Sequence, residues 1–238
     1  DNVFAEIRLR YKTKDYNWYE LTSTTIYDFN KKPQAIIAKT VNINARKKEL
    51  ERLRVLTEYD PLTNLLKYSA FQDKVNSIIM SYPSNISNML HAIIVIDIDN
   101  FNKVSNNLGI NFSNGILANF ANSINECMEE KNMAAYFGCN KFLVFLMDIK
   151  SKEYTLDFAS IIQEKLNSIY LQERFLNLTC SIGISFFPYD GCDTETLFEN
   201  ADIALYTAKK NGKNRVVIYD PTQRTYINMS EYLCKSIK

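Results

Sequence analysis

The chain has 238 residues, 46% of them hydrophobic, enough for one large domain or two small ones around a real core. Its 28 basic and 27 acidic residues nearly cancel, which excludes both a basic field that would concentrate nucleic acid and an acidic disordered tail. The longest apolar runs, 92–96 and 182–187, are strand-sized and far short of the roughly 20 residues of a membrane span.

No signal peptide opens the chain, and the five cysteines (127, 139, 180, 192 and 234) form no CxxC pair and leave an odd one over. Reduced thiols in a soluble, cytoplasmic domain are expected, from a parent protein that is free to be membrane-associated.

Residues 4–43 read as three antiparallel strands. Phe4 to Arg10 alternates apolar and charged side chains at the two-residue period of a half-buried sheet. A turn at 12–17 leads to a second run, 18–27, and the break at Asn30-Lys31-Lys32-Pro33 leads to a third, 35–41. Over 45–59 the pattern becomes helical, with Leu50, Leu53 and Leu56 among charged residues and Asn44 as the expected N-cap. Such a helix either pairs with its twin or docks on its own domain. Beyond it the chain alternates: helix 67–80, strand 92–97, helix 113–130, strands 133–137 and 142–148, helix 154–170, strand 178–186, helix 194–210 and strand 215–219. A short polar loop falls at 84–88. The order predicts an α/β domain with a mixed sheet flanked by helices.

Several blocks then carry a resemblance. Asp60-Pro61-Leu62-Thr63-Asn64-Leu65 resembles the DxLTGL opening of GGDEF (diguanylate cyclase) domains, and Ile96-Asp97-Ile98-Asp99-Asn100-Phe101 their DIDxF strand end. Ser181-Ile182-Gly183-Ile184-Ser185, the segment from Ala201 to Lys209, and Asn211-Gly212-Lys213-Asn214-Arg215-Val216 are similar to the family's SIGIA, ADxALYxAK and GRNRV segments. The resemblance runs from Asp60 to Asp220 and implies a palm-like nucleotidyl cyclase fold. In active members two such domains each hold one GTP and condense them into cyclic di-GMP. Mg²⁺ bridges the phosphates there and needs oxygen ligands, so the resemblance implies a carboxylate at Asp97 and another on the hairpin that names the family.

That hairpin is Gly138-Cys139-Asn140-Lys141-Phe142, and its departures fall on the chemistry. Cys139 adds a Cβ where the backbone turns tightly. Asn140 stands at the metal-binding carboxylate and Lys141 at the acidic residue near the reacting hydroxyl, so the formal charge goes from about −2 to about +1. Asp97 alone is a poor site for Mg²⁺. Ser105 stands at the guanine-contacting asparagine, Asn102 at a phosphate-contacting lysine, and Asn114 at a carboxylate that accepts both guanine N–H groups. The family's product-inhibition RxxD falls at Glu129-Glu130-Lys131-Asn132, without either charged member. Lys209 and Lys213 occupy phosphate-meeting positions and read either as anion ligands or as solvated lysines at a helix end. Asp97 and Asp99 read either as site carboxylates or as the polar end of a buried strand. His91 reads as structural or exposed.

The three N-terminal strands resemble the last strands of a PAS domain, with Asn42-Ile43-Asn44 similar to the D-I-T-like element before a linker helix. That resemblance implies that the PAS helices and pocket precede Asp1. Tyr219-Asp220-Pro221 and the helical-looking 230–237 resemble the lead into an EAL phosphodiesterase domain. The expected organisation is 1–44 PAS-derived, 45–59 linker helix, 60–220 degenerate GGDEF domain and 221–238 extension. The function expected is a signalling module without catalysis, with a homodimer through the linker helix and a possible nucleotide ligand. An active cyclase with a rearranged site is the alternative.

Overall fold

The computed structural model describes residues 2–10, 15–81, 89–171 and 174–223, so the loop at 84–88, the helix at 230–237 and Cys234 lie outside the described residues. The chain divides into two units, Asp1–Thr57 and Glu58–Lys238.

In the first unit, β1 (Asn2–Arg10), β2 (Tyr16–Tyr27) and β3 (Pro33–Asn42) form an antiparallel meander with β2 in the middle. The β2–β3 turn closes on Asp28, whose Oδ1 accepts the N–H groups of Asn30 and Lys32 at 2.8 Å each. Lys31 takes a positive φ of 60° to complete it. Helix α1 (Asn44–Glu58) follows directly. Asn44 does not cap this helix as expected. Its Oδ1 accepts the Trp18 N–H at 2.8 Å, and the Ile43 carbonyl accepts the Lys47 N–H instead. A long-range backbone donor on β2 outcompetes the local cap because that donor would otherwise be unpaired. Lys47 pairs with Glu6, and Arg46 with Glu20, so the first turn of α1 is tied to the sheet. Farther along, Leu50, Leu53, Val55 and Leu56 are exposed.

The second unit contains β4 (Leu66–Lys67), α2 (Tyr68–Ser81), β5 (His91–Ile98), α3 (Phe101–Leu108), α4 (Ile110–Glu126), β6 (Met133–Gly138) and β7 (Lys141–Leu146). After these come α5 (Lys152–Asn167), the short pair β8 (Tyr170–Leu171) and β9 (Arg174–Phe175), β10 (Cys180–Phe187), α6 (Thr194–Lys210) and β11 (Val216–Ile218). The main sheet runs β11-β10-β5-β7-β6-β4, parallel at its two ends and antiparallel between. This is the mixed sheet flanked by helices that the alternation predicts. The helix expected over 113–130 is α4, which starts and ends a few residues earlier, and an additional helix, α3, precedes it, separated from it by Gly109 at φ 84°. The polar stretch Asn102 to Asn107 hides α3 from a reading based on apolar period.

Strand β5 is buried along its whole length, which explains its uninterrupted apolar run. Ile94, Ile96 and Ile98 face α4 and α5 with Ile116, Phe120, Phe158 and Ile162. Ile93 and Val95 face α2 and α6 with Phe71, Val75, Leu197 and Leu205. His91 is fully buried between the rings of Phe145 and Phe187, and its Nδ1 accepts the Asp148 N–H at 2.9 Å. Burial lowers its pKa and favours the neutral ring. The DxLTGL-like segment proves to be a turn built on Asp60, whose Oδ1 accepts from the N–H groups of Leu62 and Thr63 and from the Thr63 hydroxyl.

Helix α6 lies close on β10 because Ser181, Gly183 and Ser185 present small residues on that face. The Ser185 hydroxyl donates to the Leu197 carbonyl at 2.6 Å. A Cβ on Gly183 would lie 2.0 Å from the Ala201 carbonyl oxygen and 2.3 Å from the Leu205 nitrogen, both backbone atoms that cannot swing aside. Gly183→Ala should therefore lower stability by about 3 kcal/mol, measured by the denaturant midpoint, since overpacking against backbone forces the helix off the sheet. Because His91 holds its proton less well folded than unfolded, stability should be full above about pH 6.5 and fall as pH drops below it. A His91→Phe variant should flatten that part of the pH–stability curve.

Candidate functional site

At the end of β5 the chain leaves the sheet beside the β6–β7 turn. Gly138 (φ 118°) and Cys139 (φ 56°) make this turn, and the Tyr136 hydroxyl pins it by donating to the Cys139 carbonyl at 3.0 Å. Burial, with Asp60 and Cys139 adding to it, pushes the Tyr136 hydroxyl pKa up to about 12, so it stays a donor. The Ile98 N–H donates to the Asn140 carbonyl at 3.1 Å, which sets the turn against the strand end. A cleft of about 370 Å³ opens there, lined by Asp97, Asn102, Lys103, Asn140, Lys209 and Lys213 among others.

Five of the polar residues in this cleft, Asp97, Asn100, Asn140, Lys209 and Lys213, are engaged with groups of the cleft itself. Asn140 Nδ2 donates to Asp97 Oδ1 and to the Ile98 carbonyl, 2.7 Å in each case. Lys209 Nζ pairs with Asp97 Oδ2 at 2.7 Å. Lys213 Nζ donates to Asn100 Oδ1 at 2.7 Å, and Asn100 at φ 55° starts α3 without capping it. Asp99 also lines the cleft but takes its hydrogen bonds from other groups. It accepts from the hydroxyls of Ser181 (2.7 Å) and Thr179 (2.9 Å) and from the Asn214 N–H (3.1 Å), which ties β5 to β10 and to the segment before β11.

Of the residues singled out in the sequence, Asp97, Asn102, Asn140, Lys209 and Lys213 are brought together, whereas Ser105 and Asn114 do not line the cleft. Gly138 and Cys139 form the turn. Phe142 is fully buried and meets Phe120 edge-on at 5.1 Å, so it anchors the hairpin in the core. Lys141 does not line the cleft. Its ammonium sits 2.6 Å from Asp202 Oδ1, over the rings of Phe137 and Phe198. The reason lies in the sheet register. Asp97 and Lys141 are paired across β5 and β7, and each takes a partner of opposite charge from α6, at positions 209 and 202. Those positions are two helical turns apart and so lie on one face of α6. Lys103, Asn100 and the Ile98 carbonyl were missed by sequence reasoning. Only the left-handed propensity of asparagine hinted at Asn100, and a backbone carbonyl has no sequence signal.

The donor set does not fit a divalent cation. Both oxygens of Asp97 and the nearby carbonyl accept from N–H groups, and among the described residues no group of three or more His, Cys, Asp or Glu side chains is placed to hold a metal. In the segment 129–132, Glu129 accepts the Tyr154 hydroxyl at 3.2 Å and Asn132 accepts the Met147 N–H at 3.0 Å, so both serve the fold. Four cysteines among the described residues are free thiols; burial, aided by Asp99 and Asp97, raises the pKa of Cys180. No helix among the described residues is long and apolar enough to cross a membrane.

Residues 57–215 match the family model described as "Diguanylate cyclase, GGDEF domain". The cyclic di-GMP phosphodiesterase PdeR of Escherichia coli is 30% identical over 203 residues, which cover 83% of this chain and 29% of that protein. Diguanylate cyclase A of Treponema denticola is 29% identical over 170 residues, 70% of this chain and 46% of the relative. The chain thus spans less than half the length of either. Among solved structures, the GGDEF domain of TpbB (YfiN) from Pseudomonas aeruginosa superposes with a TM-score of 0.67 at 23% identity, covering 71% of this chain and 99% of that one. At that identity the likeness establishes the fold.

The two strand-end aspartates should separate on mutation. Asp99→Ala strands three donors, two of them on β10 and the loop before it, and should cost about 3 kcal/mol in chemical denaturation. Asp97→Ala should cost only about 1 kcal/mol, because Lys209 is free to turn to water and the Asn140 amide keeps the Ile98 carbonyl.

Proposed function

Because the chain belongs to the diguanylate cyclase GGDEF family, we propose that it is a catalytically degenerate GGDEF module of cyclic di-GMP signalling. In this reading it relays an input from a PAS-derived region, residues 1–44, through the linker helix 45–59. The domain proper is 60–220, and 221–238 leads toward an EAL-type output. Its own ligand is a nucleotide bound for regulation, not turned over. The observation that carries the reading is Asn140, an amide where the family's hairpin has a metal-binding carboxylate, hydrogen-bonded to the one remaining carboxylate, Asp97. Without paired carboxylates the attacking hydroxyl and the phosphates lack the cation that stabilises the transferring phosphoryl group.

The similarity to a phosphodiesterase of cyclic di-GMP, PdeR, supports a place in that signalling chemistry. The antiparallel sheet running straight into a helix supports the PAS-derived reading of the first unit. The second reading, an active cyclase, is favoured by the retained Asp97 in the cleft and by the similarity to diguanylate cyclase A.

Purified protein incubated with GTP and Mg²⁺ should make no cyclic di-GMP. Product above a no-protein control, abolished by Asp97→Ala, would establish the cyclase instead. Restoring Cys139→Gly, Asn140→Asp and Lys141→Glu together should rescue little, since Asn102, Ser105 and Asn114 keep their departures and groups acting as a unit recover non-additively.

Assembly is proposed to run through α1, whose Leu50, Leu53 and Leu56 are exposed along one side. Burying such leucines in a dimer seam stabilises by roughly 1.5–3 kcal/mol each. Leu53→Glu should therefore shift a dimeric parent toward monomer in sedimentation. A parent that is monomeric at high concentration removes the linker from this role.

A further inference from the structure

The Asn140 amide is placed as a cation would be. Its nitrogen lies 2.7 Å from both Asp97 Oδ1 and the Ile98 carbonyl oxygen, so its two N–H groups reach two oxygens that a divalent ion would otherwise bridge. The second carboxylate oxygen is covered by Lys209 at 2.7 Å. All three contacts come from the chain itself. For Asn140 to act as a metal ligand its amide would have to turn over, and Lys209 would have to give up its carboxylate. An incoming divalent ion would also meet like charge from Lys209 and Lys213 at the same cleft.

We propose that the Asn140 amide and the Lys209 ammonium stand in for a divalent cation on Asp97, so that the cleft takes a phosphate ester directly on its lysines, without metal. The ligand half of this inference rests on the reading of the cleft as a nucleotide site. With Lys209 committed to Asp97, the phosphate falls to Lys103 and Lys213, the latter held toward the cleft by Asn100. Three lysines against Asp97 and Asp99 leave the lining with a formal charge of +1 before any metal is added. Asn140 thereby has a positioning role: it hydrogen-bonds the strand-end oxygens that the family's chemistry would leave to an ion, while Lys209 supplies the countercharge.

Two measurements on the full chain separate the halves. Mn²⁺ alone, followed by electron paramagnetic resonance, reads the metal question without any nucleotide. The parent should show no saturable binding, and Asn140→Asp combined with Lys209→Ala should acquire a site at least about tenfold tighter than any residual affinity of the parent. Asn140→Asp by itself, which preserves shape, serves as the second variant if the double variant proves unstable, and it should gain Mn²⁺ in the same direction. Saturable Mn²⁺ binding by the parent that is lost in Asp97→Asn overturns the proposal, as does a folded Asn140→Asp chain that gains nothing. Calorimetry with GTP, first in Mg²⁺ and then in chelator, reads the ligand half. The Kd should agree within about threefold in the two buffers and weaken at least about tenfold in Lys213→Ala. GTP binding that vanishes on chelation overturns the inference. Failure of GTP to bind in either buffer overturns the nucleotide reading and the ligand half with it, while the Mn²⁺ experiment still decides the cation surrogate.

Discussion

Helix α6 approaches β10 so closely that the space for a Cβ at position 183 is filled by the backbone of Ala201 and Leu205. That contact sets the height of the helix over the sheet, and the cleft depends on it. Only with α6 at this distance do Lys209 and Asp202, two turns apart on one face, reach down to Asp97 and Lys141 on adjacent strands. The small residues of β10 therefore position charges on elements they do not belong to. A packing constraint becomes an electrostatic one, because the same helix delivers a cation to the carboxylate and a carboxylate to the cation.

The two aspartates of the strand end illustrate how similar residues come to do different work. Asp99 is surrounded by three neutral donors from β10 and the neighbouring loops, and holds the sheet's end together. Asp97, one pleat earlier, faces the cleft and is balanced by an ammonium and an amide. A buried carboxylate needs donors in either case, since leaving it bare costs far more than any single hydrogen bond returns. What differs is the source of those donors, and with it whether the group has capacity left for a ligand.

The hairpin turn tolerates its departures for local reasons. Cys139 sits at φ 56°, a conformation that costs a residue with a Cβ on the order of 1 kcal/mol. The Tyr136 hydroxyl bond to its carbonyl and the buried Phe142 ring beside Phe120 hold the turn in place against that strain. Lys141 finds a carboxylate and two aromatic faces and is not among the residues lining the cleft, so its charge is answered by Asp202.

By itself the sequence determined the type of most of the longer elements and, through several ordered blocks, the family and its mixed sheet. Apolar period is a local property, and the buried β5 and the whole span of α6 were legible from it. It also determined which residues depart from the family's hairpin. Only the tertiary structure decided what those departures do. Asn44 abandons its helix for a donor on β2, and Lys141 pairs with Asp202 instead of lining the cleft. Asn140 places its amide on Asp97 and on a carbonyl that no side-chain pattern could announce. In each case the deciding partner lies on another element, far away in the chain. A side chain's charge is written in the sequence, whereas the group that answers it is fixed by packing.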